Sequence, residues 1–340
     1  MSDQVLSEPL TQREIAIFTG LSPKATQNNS SASHASDKPG TLPAASSRFP
    51  GLSHKSLLMH APTTDCRCVR HLFLAVAVFS ATASLAVAQP NATDTDTEPI
   101  LLAHRGLVRH APENTLPAFE SAIALGASIE LDVYQTRDGQ LVVIHDNTVD
   151  RTTNGTGEIG NLTLAQIKKL DAGSWFHPRF RGLKVPTLDE AFRVISQRQR
   201  TPITIALNMK VISPGIESKI VRVVEKYDLF DQLFAFGQPA DSSRRFKDAN
   251  PKLRTTIVKI YDSKHFAAAL KDPLADCLWV GFIPSRKEMD HAHQLKKQVW
   301  LSLKIGDRRP DIWDRSRASG MDGICTDWPL ECRLHWRTTK

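Results

Sequence analysis

Short apolar runs recur along the C-terminal two-thirds of the chain, and each is bounded by polar or turn-forming residues. Their length and their content of branched and aromatic side chains predict β-strands. The nine predicted strands are residues 100–103, 128–133, 141–144, 203–209, 233–236, 255–260, 277–282, 299–303 and 323–326. Amphipathic stretches at helical spacing lie between most of them, including 115–125, 188–196, 215–227 and 287–297. This alternation predicts βαβ units and a parallel sheet.

The third run is the exception, because the segment that separates it from the second run is too short for a helix. This segment contains Asp138-Gly139, a typical two-residue hairpin turn. The third strand is therefore predicted to fold back antiparallel, which places Asp132 opposite His145. The eight remaining strands predict a (β/α)8 TIM-type barrel of the α/β class, with a β-hairpin arm after the second strand.

The N-terminal third has a different character and is predicted to lie outside the barrel. Residues 1–58 are rich in Ser, Ala, Pro, Thr and Asn, which predicts a disordered or over-annotated extension. Residues 59–88 begin at a second methionine and join a basic flank to an apolar run that ends in Ala86-Val87-Ala88. This pattern predicts a signal peptide cleaved after Ala88 and an exported, periplasmic or extracellular protein. An uncleaved membrane anchor is the alternative. A linker over 89–98 and a barrel domain over 99–340 follow.

Charge and cysteine content exclude some classes of function. The formal net charge is +7, and the basic residues are spread along the chain without the basic-aromatic stripe typical of nucleic-acid binding. Beyond the leader the cysteines are Cys277, Cys325 and Cys332, and no pair has the C-x-x-C spacing of a zinc site. A Cys325–Cys332 disulfide and free buried thiols both fit this spacing.

Three polar clusters at the ends of predicted strands carry the candidate chemistry. Glu130 and Asp132 share one face of their strand, since side chains alternate. His104 ends the first strand, at the barrel face where catalytic groups lie. Two carboxylates pointing into a barrel need a cation or a histidine to balance them. In the next segment, Asn114 or Thr115 is expected to cap the first helix.

Taken in order, the polar motifs of the domain resemble the glycerophosphodiester phosphodiesterase family. The matching motifs are His104-Arg105-Gly106, Pro112-Glu113-Asn114-Thr115, Glu130-Leu131-Asp132-Val133, Asp138-Gly139, His145-Asp146, Arg151-Thr152-Thr153-Asn154-Gly155, Leu170-Asp171-Ala172-Gly173, Pro186-Thr187-Leu188-Asp189-Glu190 and Gly320-Met321-Asp322-Gly323-Ile324-Cys325-Thr326-Asp327. They cover roughly residues 100–330, nearly the whole predicted domain.

The resemblance implies a barrel that hydrolyses glycerophosphodiesters to glycerol 3-phosphate and an alcohol, with one bound divalent cation, Ca²⁺ or Mg²⁺. The implied residues are His104 and His145 as the acid–base pair, Arg105 and Lys210 as phosphate contacts, Glu130, Asp132 and Asn208 as metal ligands, and Trp300 as a candidate substrate-pocket residue. The implied partner is a small phosphodiester, with a lysolipid as the alternative substrate. The sequence leaves the oligomeric state open.

Two positions depart from the family pattern. Asn208 replaces an acidic residue, which predicts weaker metal binding because ligand charge sets affinity. Trp300 lacks the polar Asn that usually follows it, and Ser302 is the candidate substitute. These departures leave two further interpretations open. One is a weakened or inactive barrel that binds phosphodiesters or lipid head groups, and the other is a lysophospholipase D-like enzyme. Trp175 and Phe176 either line an apolar entrance to the site or belong to the core.

Overall fold

The computed structural model describes residues 98–211, 213–237, 241–302 and 306–339. The predicted extension and signal peptide, and nearly all of the predicted linker, lie outside the described residues and stay predictions. In the part that is described, no helix is both long enough and apolar enough to cross a bilayer.

All nine predicted strands are present in the described residues, with ends that agree to within two positions. They are β1 (Ile100–Ala103), β2 (Ser128–Gln135), β3 (Leu141–Val143), β4 (Ile205–Met209), β5 (Leu233–Gly237), β6 (Arg254–Ile260), β7 (Cys277–Val280), β8 (Gln298–Leu301) and β9 (Gly323–Thr326). Every strand except β3 pairs in parallel with its neighbours, in the order β1-β9-β8-β7-β6-β5-β4-β2. The pairing of β1 with β2 closes the ring. The predicted eight-stranded TIM-type barrel is confirmed.

Helices follow the strands around the outside of the barrel. Within the described ranges they are α1 (Leu116–Ala124), α2 (Leu164–Ile167), α3 (Leu188–Arg198), α4 (Ile216–Lys226), α5 (Ser242–Ala249), α6 (Ser263–Ala269), α7 (Arg286–Gln294), α8 (Pro310–Ser319) and α9 (Pro329–Thr338). Side-chain hydrogen bonds at the N-cap residue determine where several of these helices begin. In α3, Thr187 accepts the N–H of Glu190, whose carboxylate accepts the N–H of Thr187 in return. This reciprocal pair satisfies two N–H groups that the helix itself leaves unpaired.

The antiparallel arm is confirmed, but its predicted register is wrong by one residue. Val133 pairs with Val143, and the N–H of Ile144 donates to the carbonyl of Asp132, so Asp132 lies opposite Ile144 and not His145. The reason is the turn. The Thr136 N–H donates to the Gln140 carbonyl at 2.9 Å, which closes a three-residue loop. Gly139 takes the left-handed position of that loop, with φ 77°.

Alternation along the strands divides the barrel into an apolar interior and a polar upper end. On β2, Leu131 and Val133 face the helices, within the core that also contains Phe119 of α1. The inward positions of the lower barrel are apolar: Leu102, Ala206, Phe234, Phe236, Cys277, Trp279, Trp300 and Cys325 form one buried cluster. Cys277, Cys325 and Cys332 are free buried thiols. Asp132 and Asn208 lie next to each other in register on β2 and β4, and Glu130 lies two residues before Asp132 on the same face of β2.

Gly323→Ala tests how tightly this interior is packed. An added methyl group would lie 2.1 Å from the Trp300 ring and 2.9 Å from the carbonyl oxygen of Ile100. We expect the free energy of unfolding to fall by about 1–3 kcal/mol in urea titrations, because the ring cannot move without disturbing its neighbours. Gly160→Ala is the control, since nothing lies within 4 Å of the added methyl group. Equal stability of the two variants would contradict this packing.

Candidate active site

The chain turns abruptly at the end of β1, and this turn presents the first site residues. Arg105 has φ 56° and Gly106 has φ 83°, two successive left-handed residues. At Gly106 an added side chain would lie 2.8 Å from the backbone of Ala118, so only glycine fits. This strained turn points the N–H of Arg105 at Glu130 Oε2, at 3.1 Å. Strain of this kind concentrates at functional sites.

Asp132 is the centre of the site, only 1% exposed. Its Oδ1 accepts the amide of Asn208 at 3.0 Å and lies 3.2 Å from the Lys210 Nζ. Its Oδ2 accepts the amide of Asn114 at 2.9 Å and lies 3.6 Å from the Arg105 Nε. Two cations and two amides thus surround one buried carboxylate.

The two buried carboxylates have opposite proton affinities. Burial raises the pKa of Glu130, and the negative charge of Asp132 adds to the rise. Burial acts in the same direction on Asp132, but Lys210, His145 and Arg105 outweigh it and hold the pKa of Asp132 below its usual range. Like charges this close cannot both ionise cheaply, so the cations stabilise one carboxylate and the other retains its proton more readily.

Each of the two histidines donates from Nδ1 to a carboxylate of its own. His104 Nδ1 lies 2.7 Å from Asp327 Oδ1, and His145 Nδ1 lies 2.7 Å from Asp146 Oδ1. An acceptor at Nδ1 fixes the orientation of an imidazole and leaves Nε2 for other chemistry. For His145, burial is the main cause of a lowered pKa, which favours the neutral ring.

A chain of ion pairs connects His145 to Arg105. Arg151 Nε donates to Asp146 Oδ2 at 2.6 Å, and its Nη1 and Nη2 both donate to Glu113 at 2.8 Å. Glu113 also accepts Nη1 of Arg105 at 2.9 Å. The geometry of Arg151 towards Glu113 is bidentate, the arrangement in which guanidinium holds a carboxylate most firmly. The connection therefore fixes His145 and Arg105 relative to each other.

The structure brings together seven of the eight predicted site residues. His104, Arg105, Glu130, Asp132, His145, Asn208 and Lys210 are joined by the contacts above or act on one another's charges. Trp300 is the exception. It is fully buried in the barrel interior, with its ring centroid 4.9 Å from that of Phe234. Its expected place in an open substrate pocket is therefore wrong, because its position on β8 points the ring into the packed core.

Several residues at the site were not assigned a role from sequence. Asn114 or Thr115 was expected to cap α1. Thr115 is at the N-cap position, although its side chain makes no capping hydrogen bond, and the Asn114 side chain contacts Asp132 instead. Asp327 pairs with His104 although 223 positions separate them. The sequence could have indicated a role for Asp327, because it directly follows β9 and polar residues at the carboxyl ends of barrel strands are candidates for catalysis.

The donor set fits one hard divalent cation. Glu130 and Asp132 supply carboxylates, and Asn208 Oδ1 is buried without a hydrogen-bond partner, as expected of an oxygen available to a cation. The described residues contain no group of three or more His, Cys, Asp or Glu side chains able to hold a metal. A cation here would therefore depend on two carboxylates and an amide, with remaining positions left to water or a phosphate. That arrangement is typical of Mg²⁺ sites and open to Ca²⁺.

Fold and site together define a (β/α)8-barrel enzyme whose polar groups suit an anionic substrate. The model of the glycerophosphoryl diester phosphodiesterase family matches residues 104–331. The chain belongs to this family, and the expected class of enzyme, phosphoric diester hydrolase, follows from that membership.

Individual relatives agree with this assignment. A glycerophosphodiester phosphodiesterase of Caldanaerobacter subterraneus subsp. tengcongensis is 36% identical, over 68% of this chain and 94% of that protein. A probable glycerophosphodiester phosphodiesterase 1 of Mycobacterium tuberculosis is 46% identical, over 67% of this chain and 81% of that protein. An Oleispira antarctica phosphodiesterase, solved in complex with the product sn-glycerol-3-phosphate, superposes with a TM-score of 0.60 at 25% identity, covering 71% of this chain and 97% of that one.

The raised pKa of Glu130 predicts how Glu130→Gln changes stability with pH. In cation-free protein, folding strengthens proton binding at Glu130, so its contribution to stability is complete below the ordinary carboxyl pKa and is lost as pH rises through the raised pKa. Gln cannot ionise and avoids this loss. We therefore expect Glu130→Gln to be more stable than the natural protein at pH 8, and the difference to shrink towards pH 4.

Unfolding in urea with EDTA present measures this effect. Glu113→Gln is the control of opposite sign. Burial raises the pKa of the Glu113 carboxyl, but hydrogen bonds from Arg151 and the charge of Arg105 outweigh burial, so the pKa is lowered. Its ionised form therefore stabilises the fold, and the substitution should destabilise the protein at pH 8. A Glu130→Gln variant less stable than the natural protein at pH 8 would contradict the prediction.

Proposed function

We propose that this protein hydrolyses glycerophosphodiesters to glycerol 3-phosphate and an alcohol, with His104 and His145 as the acid–base pair. The observation that carries the proposal is the pairing of each histidine with its own carboxylate beside the buried Glu130 and Asp132. The names of the relatives support the reaction, and so does the glycerol 3-phosphate bound to the Oleispira enzyme.

Arg105 and Lys210 contact the substrate phosphate in this proposal. Both are largely buried, and both lie within 4 Å of Asp132, so their positions are fixed before substrate arrives. A phosphodiester carries one negative charge and gains more as the transition state forms. Fixed cations in a site of low dielectric constant stabilise that added charge without having to reorganise.

The two imidazoles transfer protons at the two bonds that change. One Nε2 removes the proton of the attacking hydroxyl or water, and the other protonates the departing alkoxide oxygen. Histidine suits both steps because its two forms are both populated near neutral pH. The lowered pKa of His145 favours the form that accepts a proton.

Glu130, Asp132 and the Oδ1 of Asn208 would hold one Ca²⁺ or Mg²⁺ ion, which when bound neutralises charge on the phosphate oxygens. Charge balance supports this proposal. Five carboxylates belong to the connected site (Glu113, Glu130, Asp132, Asp146 and Asp327), and its permanent cations are three: Arg105, Arg151 and Lys210. With all five carboxylates ionised, a divalent cation would restore neutrality.

Release of glycerol 3-phosphate is the direct test. The purified protein is incubated with glycerophosphocholine, glycerophosphoethanolamine or lysophosphatidylcholine over a series of Ca²⁺ and Mg²⁺ concentrations. Choline release from lysophosphatidylcholine, whose other product would be lysophosphatidic acid and not glycerol 3-phosphate, distinguishes a lysophospholipase D-like specificity. We expect Asn208→Asp to reach half-maximal activity at roughly tenfold lower cation concentration, because a carboxylate replaces an amide among the ligands. Asn161→Asp, an exposed change of the same charge, should leave the cation dependence unaltered.

A second candidate is a barrel that binds phosphodiesters or lipid head groups without turnover, and Asn208 is the observation that favours it. Its amide donates to Asp132, which satisfies that carboxylate in the absence of a cation. If neither the natural protein nor Asn208→Asp releases glycerol 3-phosphate at any cation concentration, the hydrolase proposal is wrong. Calorimetric binding of glycerophosphocholine without turnover would then support the second candidate.

Asp327→Asn tests whether Asp327 positions His104. An amide in place of the carboxylate can donate its N–H to Nδ1 and reverse the tautomer. The neutral ring would then carry its proton on Nε2, which could no longer accept one. We expect kcat to fall by roughly 100-fold, with a shifted pH profile and little change in KM. Asp314→Asn is the matched control, because Asp314 pairs with His335 at 2.9 Å on the outer helices. An equal loss in both variants, with unchanged pH profiles, would contradict a positioning role.

A further inference from the structure

One exposed loop gathers aromatic and basic side chains that the proposed chemistry does not use. The basic-aromatic loop, residues 173–184, contains no acidic residue. Trp175 is 41% exposed, and the basic side chains Arg179, Arg181 and Lys184 are exposed as well. Within the described ranges, no carboxylate pairs with Arg179 or Arg181. The sequence as a whole has no basic-aromatic stripe, and this local cluster is the exception.

The loop is held in one shape from within. Asp171 accepts the N–H groups of Gly173, Ser174 and Gly182, each at 2.8 Å, and these bonds keep its pKa below the usual range. Gly173 packs so closely on Phe180 that an added methyl group would lie 1.9 Å from the Phe180 carbonyl oxygen. A surface held in this way loses little conformational entropy on binding a partner.

The aromatic rings form a small cluster in which Trp175 is exposed and Phe176 and Phe180 are partly buried. Trp175 lies edge-on to Phe176 with centroids 5.7 Å apart, and Phe176 lies edge-on to Phe180 at 5.6 Å. The Trp175 indole donates to the carbonyl of Ala172 at 3.0 Å, which orients the ring. The guanidinium of Arg179 lies 5.0 Å from the centre of the Phe180 ring. Because Trp175 is this exposed, it does not belong to the core, which was one of the two expectations from the sequence.

The base of the loop borders the candidate active site. Ala172 and Val185, at its two ends, line a small pocket together with His145 and Asn114. In addition, the Asp171 N–H donates to the side chain of Asn154 at 2.7 Å, and Asn154 belongs to the segment that carries Arg151. A partner bound to the loop would therefore lie beside the site.

We propose that the basic-aromatic loop is a docking surface for an anionic phospholipid bilayer. An exposed indole beside arginines matches the chemistry of a bilayer interface, where tryptophan rings lie at the depth of the head groups. Arginine and lysine are attracted to anionic lipids, and each contributes about fivefold in affinity near the surface. Complementary charge selects this partner: the loop is positive throughout and has one large apolar ring at its exposed face. The inference does not rest on the proposed hydrolysis.

Hydrogen exchange on the full chain tests the proposal, because it reports on the loop separately from any other segment that contacts lipid. Peptides covering residues 173–184 are compared in buffer, with phosphatidylcholine vesicles, and with vesicles that also contain phosphatidylglycerol. We expect slower exchange in the loop only with the anionic vesicles. Arg179→Glu with Arg181→Glu should abolish this protection, and Trp175→Ala should weaken it.

The matched control is Lys271→Glu with Lys287→Glu, which makes the same charge change at exposed positions elsewhere on the surface. This control should retain the protection. Unchanged exchange of the loop on anionic vesicles would overturn the proposal, and so would equal loss in both double variants. Protection by a single-stranded oligonucleotide but not by vesicles would also overturn it, and would make the loop a nucleic-acid surface instead.

Discussion

Two carboxylates on one face of a buried strand are the constraint to which the rest of the site responds. Glu130 and Asp132 are 3% and 1% exposed, in a position where unpaired charge is costly. Three neighbouring residues offset this free-energy cost. Arg105 reaches in from the end of β1, Lys210 from the end of β4, and Asn114 from the start of α1. Arg105 and Asn114 belong to the connection between β1 and α1, and Lys210 follows β4, so the site ties both of these barrel units to β2.

The barrel makes this convergence possible through simple alternation. Parallel strands in register bring corresponding residues side by side, and Asp132 lies next to Asn208 for that reason. One step along either strand turns the side chain outwards, as with Leu131, which lies in the core under the helices. The inward positions lower down are apolar and closely packed. The polar groups of the site lie above this apolar packing, at the barrel end where enzymes of this fold place their active sites.

How much of this follows from the sequence depends on the range of each interaction. The nine strands and the arm follow from hydrophobic pattern and loop length, which are local. The register of the arm does not, because Asp138-Gly139 is compatible with a two-residue turn and with the three-residue loop that Thr136 and Gln140 close. Asn114 has the sequence of a helix cap, but a contact to a carboxylate on another strand decides its position. Trp300 shows the same limit, since pattern alone does not tell an inward core ring from a pocket wall.

Asn208 shows how one substitution affects stability and function differently. An acidic residue at this position would place a third carboxylate beside Glu130 and Asp132, and without a cation their repulsion would destabilise the upper barrel. The amide removes that repulsion and donates a hydrogen bond to Asp132, so the cation-free site is stabilised. The same amide offers a cation a neutral oxygen, and that oxygen has no other partner. A site arranged in this way would tolerate the absence of a cation better than one with three carboxylates, and it would bind the ion less tightly for the same reason.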